Sequence, residues 1–204
     1  MRVSIIFILG ILLISCKKER TIHISAKNAV TGQPYAGLAY YVVQEMTAGD
    51  GEKTKTVATG TLDANGEAHL TKKLPKAYSY AIRVEAPANT CYNKQITFYF
   101  GTEETFTCNF EFAECAFLTL NINNVNCQGN SDVMKFRSRY SYSDWEGWST
   151  ERNGCYSLNS PGYVEVPAGW RIYQWTVNRN GVITTGTDSI FLNTNDYGTF
   201  NLNY

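Results

Sequence analysis

The sequence predicts an all-β chain of two tandem antiparallel β-sandwiches, and three observations carry that expectation. Thr, Tyr, Phe and Asn are abundant and long amphipathic stretches are few, a composition that suits strands better than helices. Apolar and polar residues alternate through short runs such as Tyr80, Ile82, Val84 and Phe106, Cys108, Phe110, Phe112. Period two is the mark of a strand with one buried face. Finally, one order of features occurs twice along the 204 residues, as in a duplicated unit.

The duplication rests on several short matches. "LPKAYSYAIRVE" from Leu74 lies over "VPAGWRIYQWTV" from Val166, and "FYFGTEETFTCNFEF" from Phe98 over "IFLNTNDYGTFNLNY" from Ile190, both at an offset of 92 residues. Asn65-Gly66 precedes Leu70 by the same step as Asn153-Gly154 precedes Leu158. Units spanning 21–112 and 113–204 follow. In the first, strands are expected over 22–26, 38–45, 56–62, 67–72, 78–86, 94–100 and 105–112. Asp63-Ala64-Asn65-Gly66 reads as a hairpin turn, because Asn-Gly readily takes positive φ. Its acids do not make a calcium loop, since the downstream ligands are missing at the required spacing. The junction "NFEFAECAFLTL" holds no Pro, Gly or Ser and is expected to be short and stiff, setting the two sandwiches end to end.

Around "AVTGQPYAGLAYYVV" and "TVATGTLDANGEAHL" the first unit resembles the immunoglobulin-like sandwiches of the transthyretin-like and carboxypeptidase-regulatory-like type found in bacterial surface proteins. The resemblance covers residues 21–100 and implies a fold, not an activity.

The amino terminus predicts an address. Met1-Arg2 precedes an aliphatic run from Val3 to Ile14. As a helix this run is about 18 Å long, too short for the ~20 residues of a membrane span and of the right length for a signal peptide. Leu13-Ile14-Ser15-Cys16 resembles the bacterial lipobox. That resemblance implies removal of residues 1–15, diacylglycerol on the Cys16 sulfur, and residues 16–20 as a charged tether. With lysine and not aspartate after the cysteine, it further implies lipid anchoring at the outer membrane or cell surface of a Gram-negative bacterium.

Removing residues 1–15 takes one arginine, leaving seventeen basic against eighteen acidic side chains. This balance argues against a nucleic-acid partner. Five cysteines then remain for an exported, oxidising setting. The scattered spacing has no CxxC, so no zinc site is expected. One pair per unit is preferred, Cys91 with Cys108 and Cys127 with Cys155, leaving Cys115 free. Cys115 is too far along an extended strand to reach Cys108. The other reading leaves Cys108 buried and unpaired among its phenylalanines.

No HExxH, GxSxG, P-loop or GxGxxG pattern occurs, so no enzyme activity, cofactor or metal is expected. The two histidines, His23 and His69, read as ordinary strand residues. "SYSDWEGWSTERNG", from Ser141, sets Asp144 and Glu146 beside Trp145 and Trp148, but carboxylates two apart in a loop have no fixed catalytic separation. All four tryptophans lie in the second unit. At the 92-residue offset, Tyr80, Ile82 and Val84 correspond to Ile172, Gln174 and Thr176, which places Tyr173 and Trp175 on the outer face unless the second unit buries the opposite one. The function these signals predict is a lipid-anchored, non-catalytic binding module contacting a glycan or an envelope protein through Trp145, Trp148, Tyr173 and Trp175. The alternative is a structural spacer or assembly subunit of an outer-membrane complex.

Overall fold

Alternating sequence becomes strand throughout the computed structural model, which describes residues 17–48, 51–76, 78–101 and 103–204. In chain order the elements are β1 (Lys17–Asn28), β2 (Ala39–Ala48), β3 (Gly51–Thr61), β4 (Glu67–Pro75), β5 (Ser79–Val84), β6 (Thr90–Asn93), β7 (Phe98–Phe100) and β8 (Thr105–Asn123). They continue with β9 (Val133–Tyr140), β10 (Arg152–Asn153), β11 (Ser157–Asn159), β12 (Val164–Pro167), β13 (Gly169–Arg179), β14 (Val182–Leu192) and β15 (Tyr197–Asn203). The fold is all-β. Cys16 and the expected signal peptide lie outside the described residues.

The chain forms two compact units. Among the described residues, the first comprises those from 17 to 27, 33–86 and 94–111; the second comprises 28–32, 87–93 and 112–204. The segments 28–32 and 87–93, which the repeat assigns to the first unit, are held in the second. Asn28 donates to Glu114 at 2.8 Å, the Ala29 amide reaches the Phe112 carbonyl at 2.7 Å, and β6 pairs with β8 at residues 112–114. The expected junction lies within β8.

In the first unit β4, β1 and the start of β8 form one layer, and β3-β2-β5-β7 form the other. Ile22, Ile24, Val42, Tyr80, Ile82, Cys108 and Phe110 are buried between them. Each large apolar side chain contributes about 1.5–3 kcal/mol through that burial. Residues 17–20, expected as a tether, are strand: β1 begins at Lys17 and pairs with β4 from there. Arg20 is buried, its guanidinium donating to the Gly101 carbonyl and lying 5.3 Å from the Tyr80 ring and 5.7 Å from that of Phe100. Its alkyl stem and flat cation suit an aromatic-lined edge, which draws the charged run into the sheet.

The Asp63–Gly66 turn forms, but it carries the chain from β3 in one layer to β4 in the other, so it is not a hairpin. Asp63 Oδ1 accepts the amides of Asn65 and Glu67 at 2.8 and 2.9 Å, and Gly66 takes φ +70°. A Cβ at Gly66 would come within 2.6 Å of the Ala26 carbonyl oxygen, so both conformation and space require glycine.

The second unit repeats the topology. The far half of β8 pairs with β11 and β15, as β1 neighbours β4 and the near half of β8; β10-β9-β13-β14 follows the order of β3-β2-β5-β7. The added β12 also pairs with β8. Not every pairing is antiparallel, because β15 runs parallel to β8. Leu118, Ile122, Met134, Tyr173, Val177, Leu192, Phe200 and Leu202 fill this core, with Tyr173 and Phe200 stacked at 4.5 Å.

The disulfides join Cys91 to Cys115, Cα–Cα 4.9 Å, and Cys127 to Cys155, Cα–Cα 5.3 Å. The first corrects the expected Cys91–Cys108 pair. Because β6 docks beside residues 112–114, and its register shifts between Thr90 and Tyr92, Cys91 meets Cys115. Cys108 is the unbonded, buried cysteine among the described residues, and burial pushes its thiol up to about 12.

Candidate functional site

Strand parity builds the site on the outer face of the β10-β9-β13-β14 sheet. Along β9, Met134, Ser138 and Tyr140 turn inward and are buried, so Lys135, Arg137 and Arg139 turn outward. The chain leaving β9 then doubles back beside it. The amides of Glu146 and Ser149 donate to the carbonyls of Ser138 and Phe136 at 2.9 and 2.7 Å, and Ser149 Oγ accepts the Phe136 amide at 3.0 Å. This return lays Trp145 and Trp148 over the cationic row.

The result is a ladder. Lys135 Nζ lies 5.4 Å from the Trp148 ring centroid, and the Arg137 guanidinium lies 4.6 Å from Trp148 and 4.7 Å from Trp145. Arg139 follows at 4.9 Å from Trp145. Arg137 Nε also donates to Gln174 of β13 at 2.8 Å. Each such stack is worth about 0.5–1 kcal/mol at an exposed site, and planar guanidinium suits it better than ammonium. Trp148 keeps 39% of its surface exposed. On the same outward parity, Trp170 and Phe191 form an exposed pair with centroids 5.3 Å apart. That pair was missed in the sequence, because only the β13–β14 register brings residues 170 and 191 opposite one another.

The other two expected contact residues are not there. Tyr173 is 3% exposed, inside the core, and desolvation raises its phenol above the ordinary value. Trp175 packs partly buried against the same core, over Gly186. The second unit therefore buries the odd-numbered face of β13, so the correspondence between units slips by an odd number of residues from 92. A one-residue slip exchanges the two faces of a strand.

Glu146 is tied inward, 2.8 Å from Arg171 and 2.5 Å from Ser138 Oγ. Arg171 in turn stacks 4.3 Å from the Tyr140 ring, and burial pushes the Tyr140 hydroxyl up to about 12. The group Cys91, Cys115 and Glu165 clusters tightly enough to resemble a metal site. Two of its three sulfur or oxygen donors are spent in a disulfide, so it does not fit one. In the first unit His23 and His69 meet across β1 and β4.

No family model matches the chain, and no curated protein matches it in sequence. Among solved structures it is similar to the Bacillus anthracis TIE protein, at 16% identity and TM-score 0.37 over 92% of this chain and 34% of that one. The chain thus spans about a third of that protein. It is also similar to GBS52, the minor pilin of Streptococcus agalactiae, at 11% identity and TM-score 0.34, covering 90% and 94% of the two chains. Shaft pilin SpaA from Lactobacillus rhamnosus GG is similar at 9% identity and TM-score 0.33, covering 92% and 97%. At such scores the fold assignment rests on the strand order above.

Proposed function

We propose that this chain is a non-catalytic binding module of the cell envelope, held to the membrane by lipid on Cys16, and that it contacts a glycan through the outer face of the second unit. The observation that carries the reading is the ladder of Trp145 and Trp148 between Lys135, Arg137 and Arg139. Indole faces held rigid by stacked cations suit the apolar faces of sugar rings, and neighbouring Gln, Thr and Arg groups supply the polar contacts. Support for close anchoring comes from β1, which begins one residue after Cys16.

The test is a binding screen of residues 17–204 against glycans and insoluble polysaccharides, beside Trp145→Ala/Trp148→Ala. Binding lost in the double variant, with circular dichroism unchanged, supports the reading; binding that survives it refutes this surface. For the anchor, Cys16→Ser should abolish labelling by a fatty-acid probe and release the protein from membranes. Persistent labelling would remove the anchor from the proposal.

A second reading, as an assembly subunit, is favoured by β14. It is the edge strand of its sheet and exposes Val182 and Ile183 at 66% and 69%, the kind of edge on which another chain adds a strand. Capture of a partner envelope protein by both the parent chain and the tryptophan double variant would select it.

A further inference from the structure

The chain contains two histidines, and the fold sets them directly opposite each other. In the antiparallel register of β1 and β4, His23 pairs with His69. Both project from the outer face of the first unit's β4-β1-β8 layer, since Ile22 and Ile24 on either side of His23 are buried. The rings meet edge to face with centroids 4.5 Å apart, and the two Nδ1 atoms are 2.6 Å apart. The two Nδ1 atoms are therefore within hydrogen-bond distance of each other on the outer face of the sheet. They border an open depression shared with Ser25, Glu67, Thr107 and Asn109.

Glu67 decides which nitrogen is available. It lies two residues before His69 on the same face of β4, with Oε2 3.4 Å from His69 Nε2. A carboxylate there holds the proton on Nε2 and leaves Nδ1 of His69 as an acceptor, the arrangement by which carboxylates orient metal-binding imidazoles. In the metal-free pair His23 Nδ1–H then donates to His69 Nδ1.

We propose that His23 and His69 are the paired Nδ1 ligands of a divalent transition-metal ion, with Glu67 as the residue that orients His69. Metal–imidazole bonds of about 2.0–2.1 Å put two nitrogens about 2.9 Å apart in a cis square arrangement and about 3.3 Å apart in a tetrahedral one. From 2.6 Å the two nitrogens need part by about 0.3 Å for the square arrangement and about 0.7 Å for the tetrahedral one, and the half-exposed His69 and Glu67 side chains have room to do so. Neutral His23 supplies its lone pair by moving its proton from Nδ1 to Nε2, so no oxidant, reductant or further group is consumed. The oxygens of Ser25 and Asn109, hydrogen-bonded to each other at 2.8 Å, line the same depression, and solvent would complete the coordination. Two imidazoles with oxygen neighbours suit Zn²⁺, Ni²⁺ and Cu²⁺, with Cu²⁺ bound most tightly in the general order of divalent ions.

The test uses residues 17–204 without a polyhistidine tag and with the amino terminus acetylated, titrated with Ni²⁺ and Zn²⁺ by calorimetry. One ion per chain is expected, with His23→Ala and His69→Ala each weakening binding at least tenfold and Glu67→Gln weakening it several-fold. In ¹⁵N-imidazole NMR spectra, Zn²⁺ should move Nδ1 of both rings and leave both Nε2 atoms protonated. Binding undiminished in His23→Ala/His69→Ala, or no binding by the parent chain, overturns the proposal. A Zn²⁺ shift at Nε2 overturns the assigned ligand atoms.

Discussion

The indole of Trp175 occupies the space that a side chain on Gly186 would need: the two residues pair across β13 and β14, and a Cβ at 186 would fall against the ring. Gly186 has no positive φ, so its requirement is for space alone. Gly186→Ala is expected to destabilise the chain by about 1–3 kcal/mol by overpacking. In urea titrations Gly186→Ala should cost much less when introduced into Trp175→Ala, because the clash is with that ring. Equal costs in the two backgrounds would place Trp175 elsewhere.

Arg137 sits between Trp145 and Trp148, so its replacement should loosen both. Arg137→Ala is expected to destabilise by about 1–2 kcal/mol from two lost stacks. Arg137→Lys should recover only part of this, since an ammonium keeps the charge and loses the plane. A double-mutant cycle between Arg137→Ala and Trp148→Ala measures the coupling; a coupling of zero would reduce the ladder to mere proximity.

Acid should release the Asp132 cluster. Asp132 is buried, accepts the Gln128 amide at 3.0 Å and an Asn124 amide hydrogen at 3.1 Å, and lies 3.3 Å from Arg179 Nε. The Gln128 amide above all, with Asn124 and Arg179 and against the opposing desolvation, holds its carboxyl below the ordinary aspartate value. A depressed pKa contributes stability that is present above the unfolded value, about pH 4, and is lost as pH falls from there through the folded value. Urea midpoints from pH 7 to 2 should therefore drop more steeply below about pH 4 in the parent chain than in Asp132→Asn. Parallel curves would show that Asp132 titrates as in the unfolded chain.

Thiol chemistry should separate the cysteines. In residues 17–204, which omit Cys16, a thiol reagent is expected to find nothing in the native state and one thiol, Cys108, in denaturant. Peptide mapping should recover Cys91 joined to Cys115. Replacing both of those by serine should cost about 2–4 kcal/mol, as for closing a loop of this size. Recovery of a Cys91–Cys108 peptide would contradict the structure.

Much of this fold was legible locally. The burial of Tyr80, Ile82 and Val84, the inward row at Cys108 and Phe110, and the turn at Asp63 all follow from neighbours in sequence. The candidate site was half legible. Trp145 and Trp148 announced themselves, but the cations beneath them did not, because Lys135, Arg137 and Arg139 acquire their role only when the chain after β9 returns along it. Arg20 misled for a related reason: a charge next to an aliphatic run reads as solvated until Tyr80 and Phe100 are placed over it.

The sequence by itself determined that the chain is built of strands, that short features recur in the same order along it, that five cysteines follow Cys16, and that it lacks the familiar catalytic motifs. Only the tertiary structure decided which face of β13 is buried, which cysteine Cys91 meets, and that His23 stands opposite His69. The physical reason is common to all three. Alternation marks two faces of a strand without saying which is inside, and that choice belongs to non-local pairing, where a shift of a single residue reverses every side chain.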